Sequence, residues 1–167
     1  MAGATEQELN NRVFVELILA LCGKKKFTSD FFAISWVFYL VYIDSVLDVR
    51  RFFDMASVWN RIRFDIERWG YPFSGRLCDI ITSLLVGHGL EYYLNTPAYA
   101  VPEDAIAEAD ELLESLRGVS CADIASIRAA ARRVGELLPD PGYDKIYFVE
   151  TVCRPCEAAL LATTPSQ

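Results

Sequence analysis

Across its 167 residues the chain has one histidine and two methionines. A lone histidine cannot build a histidine-based metal site. His88 lies between Gly87 and Gly89, which reads as the end of a helix more than as a general base. A Gly-x-Ser-x-Gly turn, a phosphate-cradling glycine loop, a His-Glu-x-x-His helix and a calcium loop are all missing. No constellation points to an enzyme, so no catalytic residue, no cofactor and no metal site is expected. Long apolar runs are missing too. The longest candidate is "FFAISWVFYLVYI", residues 31–43, thirteen residues against the roughly 20 of a membrane span. It reads as a buried core or interface helix, and no membrane partner is expected. The first residues carry no basic region followed by an apolar core, so a cytoplasmic protein is expected.

Cysteine is present but unpromising. Cys22, Cys78, Cys121, Cys153 and Cys156 are odd in number, and reduced, buried thiols are the default reading. Cys153 and Cys156 form a C-x-x-C, yet no second such pair completes a zinc site and no α/β alternation surrounds it. A structural pair is favoured over a disulfide, a metal site or a catalytic thiol.

Hydrophobic residues make up 53% and aromatics 13% of the chain, which excludes general disorder. A mean hydropathy of +0.20 is high for one small domain, so a homo-oligomer, first of all a dimer, or a protein partner is expected. The net charge of −7 comes entirely from residues 91–167, whereas residues 1–90 are neutral. Within 50–76 the balance is +3, from Arg50, Arg51, Arg61, Arg63, Arg68 and Arg76 against three acids. An acidic total argues against indiscriminate nucleic-acid binding but leaves room for a locally basic face. The acidic run "EDAIAEADELLE" has leucines opposite its carboxylates and reads as a solvated helix face.

Residues 1–167 read as a single domain in three stretches. In the first, 1–54, Thr5 and Glu8 form a capping box before a helix that closes at Gly23. "KKKFTSD" is a basic loop leading to the apolar helix, and a short helix or ordered connection follows. In the second, 58–101, the period-two pattern of "RIRFDIER" predicts a half-buried strand. Trp69 ends that strand, Gly70 allows the bend, Pro72 fixes the backbone and Ser74 caps a helix burying Leu77, Ile80, Ile81, Leu84 and Leu85. "LEYYLNTPAYAV" predicts a hairpin around Asn95-Thr96-Pro97. In the third, 102–162, Pro102 opens a helix, "CADIASIRAAARRVGELL" forms another, and the segment through Pro155 is read as helix. The expected fold class is therefore mainly α with a small antiparallel β element.

The order strand, capped helix, hairpin suits a winged-helix-like unit embedded in a helical domain. "FDIERWGYPFSGRL", followed by "LLVGHGL", resembles the aromatic-Gly-Pro-aromatic-Ser, then Gly-Leu, signature of Panacea-type phage-associated antitoxins and related winged-helix-like proteins. The resemblance spans residues 62–101. Tyr71 stands inserted between Gly70 and Pro72, and the apolar 31–43 segment replaces the group's lysine- and leucine-rich early helix.

The resemblance implies a non-enzymatic regulatory or defence-associated protein acting through a protein partner, with DNA as a second candidate. The candidate nucleic-acid contacts are Arg61, Arg63, Arg68 and Arg76, flanked by Lys24, Lys25 and Lys26. Within residues 68–77, Arg68 and Arg76 are the members expected to face a partner. The alternative is an oligomeric scaffold or virion-type protein with residues 31–43 as its subunit interface.

Overall fold

The computed structural model describes residues 10–53, 62–115 and 121–163. The expected Thr5/Glu8 capping box and Arg61 lie outside the described residues. The fold is mainly helical with one small antiparallel sheet. Its first described helix, α1 (Asn11–Leu21), starts where the Asn10 side chain accepts from the Val13 N–H. Just past its end, Gly23 takes the left-handed conformation (φ 77°) that turns the chain away.

The expected "KKKFTSD" loop is in part a strand. Lys26–Thr28 form β1, which pairs antiparallel with a later strand. Three residues bounded by lysines carry too little periodicity to announce a strand; the partner supplies the reason for it. Asp30 then caps α2 (Phe31–Ile43), its carboxylate accepting from the Phe32 N–H.

Ten of the thirteen α2 residues are buried within this one chain. The segment is a core helix of this chain. Around it α1 packs against α3 (Arg50–Phe53), α5 (Gly75–Val86), α6 (Glu103–Ser115) and α7 (Cys121–Leu137).

Residues 62–64 are not a strand. Ile62 is buried, Arg63 exposed and Phe64 set against the rings of Tyr39 and Tyr42, so the alternation is real but has no ladder to join. Asp65 makes one bridge to Phe73 and caps a single helical turn, α4 (Ile66–Trp69). Trp69 therefore ends a helical turn instead of a strand. The local signal of a capping aspartate and a left-handed glycine outweighs period-two patterning over so few residues.

After α5 the chain forms β2 (Glu91–Tyr93) and β3 (Ala98–Ala100), and the sheet order is β1-β3-β2. The C-terminal segment is helical as expected, in three pieces: α8 (Lys145–Phe148), a π turn (Val149–Cys153) and α9 (Arg154–Thr163). Pro155 explains the π turn. Its ring would clash with the carbonyl one α-turn back, and widening the turn relieves that clash. Among the described residues no helix is long and apolar enough to cross a membrane.

Candidate interaction surface

The stretch 65–77 is a closed knot held by its own backbone. Asp65 N–H donates to the Phe73 carbonyl (2.8 Å), and Gly70, at φ 73°, donates to the Ile66 carbonyl (2.8 Å). Pro72 and Ser74 are buried, and Ser74 Oγ accepts from the Leu77 N–H at 3.1 Å, capping α5. The rings between these anchors make a continuous strip. Phe32 of α2 stacks on Tyr71 (4.7 Å between centroids), Tyr71 meets Phe73 (6.0 Å), and Phe73 meets Trp69 (4.7 Å). Trp69 stays 47% exposed, which its reading as a strand end did not anticipate.

A charged group sits over each end of the strip. Arg68 lies over Trp69 (5.4 Å) and Lys145 over Phe32 (4.5 Å). Lys145 also reaches Asp30 (3.6 Å), whose other interactions are structural: its carboxylate caps α2 and accepts from the Tyr143 hydroxyl (2.7 Å). Burial first, then the Asp30 hydrogen bond, pushes Tyr143 well above the ordinary tyrosine range. Tyr71 is raised as well, mainly by burial and then by the Asp30 charge.

Several of the expected cations meet acidic or aromatic side chains of the fold. Lys24 pairs with Asp140 (2.9 Å), Lys25 with Glu103 (3.2 Å), and Lys26 lies over the Tyr93 ring (4.9 Å). In the +3 region, Arg50 donates to the carbonyls of Tyr42 and Ile43 at the end of α2, and Arg51 pairs with Asp123. Arg63 and Arg68 are exposed, and Arg76 is half-buried at the start of α5. The outward face of α5 otherwise carries Gly75, Asp79, Thr82 and Val86.

The hairpin is the more open surface. Glu91 to Pro97 are all exposed, with Leu94 81% exposed at the turn and Tyr92 and Tyr93 beside it. The register explains how this edge is held. Phe27, Tyr99 and Tyr92 stand in one cross-strand row with centroids 5.9 and 5.8 Å apart, buried at one end and open at the other. The aromatic content of "EYYL" was the available signal, but a tyrosine's share of burial depends on which strand lies outside it. His88 leads into the hairpin, exposed and in a left-handed conformation (φ 64°) just past α5, consistent with a helix terminus.

Among the described residues no group of three or more His, Cys, Asp or Glu side chains could hold a metal ion. No family model matches the chain, and no curated protein or solved structure matches it either.

Proposed function

We propose that the chain is a non-enzymatic, winged-helix-like regulatory protein that holds a protein partner on the hairpin. The carrying observation is the hairpin end of the sheet, where Tyr92, Tyr93 and Leu94 are exposed. Tyrosine exposed on a rigid frame is favoured material for protein contacts. The strand order β1-β3-β2, with the hairpin following α5, supports the winged-helix reading, although two single-turn helices, α3 and α4, stand between α2 and α5. The likeness of residues 62–101 to Panacea-type antitoxins favours a defence-associated role.

DNA is the second candidate partner, through Lys26, Arg63, Arg68 and Arg76. Phosphate binding needs several cations on one surface, and Lys24 and Lys25 each carry an acidic neighbour, Asp140 and Glu103.

A photo-crosslinking side chain at Leu94, compared with one at exposed Thr151, tests the proposal in cells of the source. A discrete protein adduct from position 94 alone is expected. Adducts of equal intensity from both positions, or from neither, would overturn it. Fluorescence anisotropy with a mixed-sequence duplex runs in parallel. Tight binding whose logarithm falls steeply with the logarithm of salt would transfer the reading to DNA.

A further inference from the structure

Cys153 ends the π turn and Cys156 lies three residues on, in the first turn of α9, close enough for its charge to act on the Cys153 thiol. Both are free thiols. Cys153 is fully buried, while Cys156 is half-buried, with Arg133 Nη2 donating to its sulfur at 3.9 Å. The two sulfurs thus differ in access: a small oxidant reaches Cys156 first, and Cys153 waits behind it in the core.

We propose that Cys156 is a hydroperoxide-sensitive modification site and that Cys153 resolves it, closing a reversible Cys153–Cys156 disulfide across the start of α9. In the first step the Cys156 sulfur attacks hydrogen peroxide. An S–O bond forms, the O–O bond breaks, and the sulfenic acid and one water result. In the second step the Cys153 sulfur attacks the Cys156 sulfur. The S–S bond forms, the S–O bond breaks, and the thiol proton leaves with hydroxide as a second water. Two thiols lose two electrons and the peroxide gains them.

Geometry makes the bond both feasible and consequential. Side chains three apart on a helix have Cβ atoms about 5–6 Å apart, whereas a disulfide needs about 3.5–4.5 Å. The helix must therefore tighten or unwind locally by an ångström or more. The junction of the π turn with α9 is the place that can yield. Arg154 N–H already reaches back to the Val149 carbonyl, and Pro155 has no N–H to hold the turn. The helix that follows, α9, packs against the core helix α2, so distortion at its start loosens it from that helix. A strained disulfide is also readily reduced, which suits a reversible mark. Burial pushes the Cys153 thiol up to about 12, so Cys153 is a poor nucleophile while it stays in the core. Its attack on the Cys156 sulfur requires the same local loosening of the π turn that brings the two sulfurs together.

The full-length protein is treated with hydrogen peroxide, alkylated and mapped by peptide mass spectrometry, with hydrogen–deuterium exchange on the same samples. The expected result is an intramolecular Cys153–Cys156 link, reversed by dithiothreitol, with exchange across residues 154–163 raised several-fold. Cys156→Ser should abolish the link. Cys153→Ser should leave a Cys156 sulfenic acid that dimedone traps. Because Cys153→Ser touches the core, Cys156→Ser serves as the variant that keeps it intact. Cys78, half-buried on α5 with no second cysteine on its helix, is the internal comparison. Oxidation of wild-type Cys156 to sulfinic acid without a link would overturn the proposal. So would preferential reaction at Cys78, or a link that leaves exchange of α9 unchanged.

Discussion

Gly135 is the position where one methyl group should cost the fold most. It lies within α7, facing the end of α1, and a Cβ there would overlap the Cys22 carbonyl oxygen and sit 2.9 Å from its carbonyl carbon. Carbon atoms pack at roughly 3.5–4.0 Å, so α7 would have to withdraw from α1 by close to an ångström. The obstacle is backbone and cannot rotate aside. On the same face Ile127, Ala130, Ala131 and Val134 are fully buried, and a gap of that size forfeits about a quarter to a half of each contact well they make. Overpacking of this kind costs about 3 kcal/mol or somewhat more, against about 1 kcal/mol returned by alanine's better helix propensity. Gly135→Ala should thus lose roughly 2–3 kcal/mol, lowering the urea midpoint by about 1–1.5 M if m is near 2 kcal/mol/M. Gly75→Ala is the control, because its Cβ would meet only Phe73 Cε1 at 3.9 Å in the first turn of α5; it should gain up to about 1 kcal/mol. Cys22→Ala should fail to rescue Gly135→Ala, since the carbonyl remains. A Gly135→Ala protein as stable as wild type, or a rescue by Cys22→Ala, would refute the reasoning.

Ser35 is fully buried in α2 and its hydroxyl has no hydrogen-bond partner among the described residues, so Ser35→Ala should raise stability by about 1 kcal/mol in urea unfolding. Ser74→Ala removes the buried cap of α5 and should cost about 1–2 kcal/mol, read in the same assay; restoration by Ser74→Asp would assign the loss to the cap. The pH dependence follows from Cys153, whose folded thiol is raised from about 9 to about 12 by burial. Above pH 9 the unfolded chain releases this proton and the folded chain keeps it, so stability is complete below pH 9 and falls as pH rises toward 12. Cys153→Ala should flatten that decline by at most about 1.4 kcal/mol per pH unit, measured as urea midpoints from pH 8 to 11; an unchanged slope would argue that Cys153 ionises freely in the fold.

Elements announced by their own residues were the legible part of the fold. Asp30 and Ser74 stand at helix starts, Gly70 takes the left-handed turn expected of it, and Asn95-Thr96-Pro97 sits in the hairpin connection. Elements that depend on a distant partner were not legible. Strand β1 exists because Lys26, Phe27 and Thr28 find Ala100, Tyr99 and Ala98, some seventy residues later. The converse case is 62–66, where among the described residues the period-two pattern finds only the single Asp65–Phe73 bridge, and Asp65 caps a helical turn instead. Hydropathy read residues 31–43 as a buried core or interface helix without choosing between them, and the helices packed around α2 show that it is buried within the chain.

The same distinction separates the charged from the aromatic residues of the candidate surface. Counting arginines and lysines along the chain gives a local excess, but a cation is available to a partner only if no acid meets it in space. Asp140, Glu103 and Asp123 are far in sequence from Lys24, Lys25 and Arg51, and no local pattern discloses those pairings. Aromatic exposure is hidden in the same way. Tyr92 and Tyr99 are one residue type in one hairpin, yet Tyr99 is buried because β1 and Phe31 cover it, while Tyr92 stands 41% exposed on the outer strand. Ion pairing therefore sets acids beside Lys24, Lys25 and Arg51, while strand order leaves Tyr92 open. On the function proposed above, Leu94, the most exposed of these apolar side chains, is the position at which contact with a protein partner is sought first.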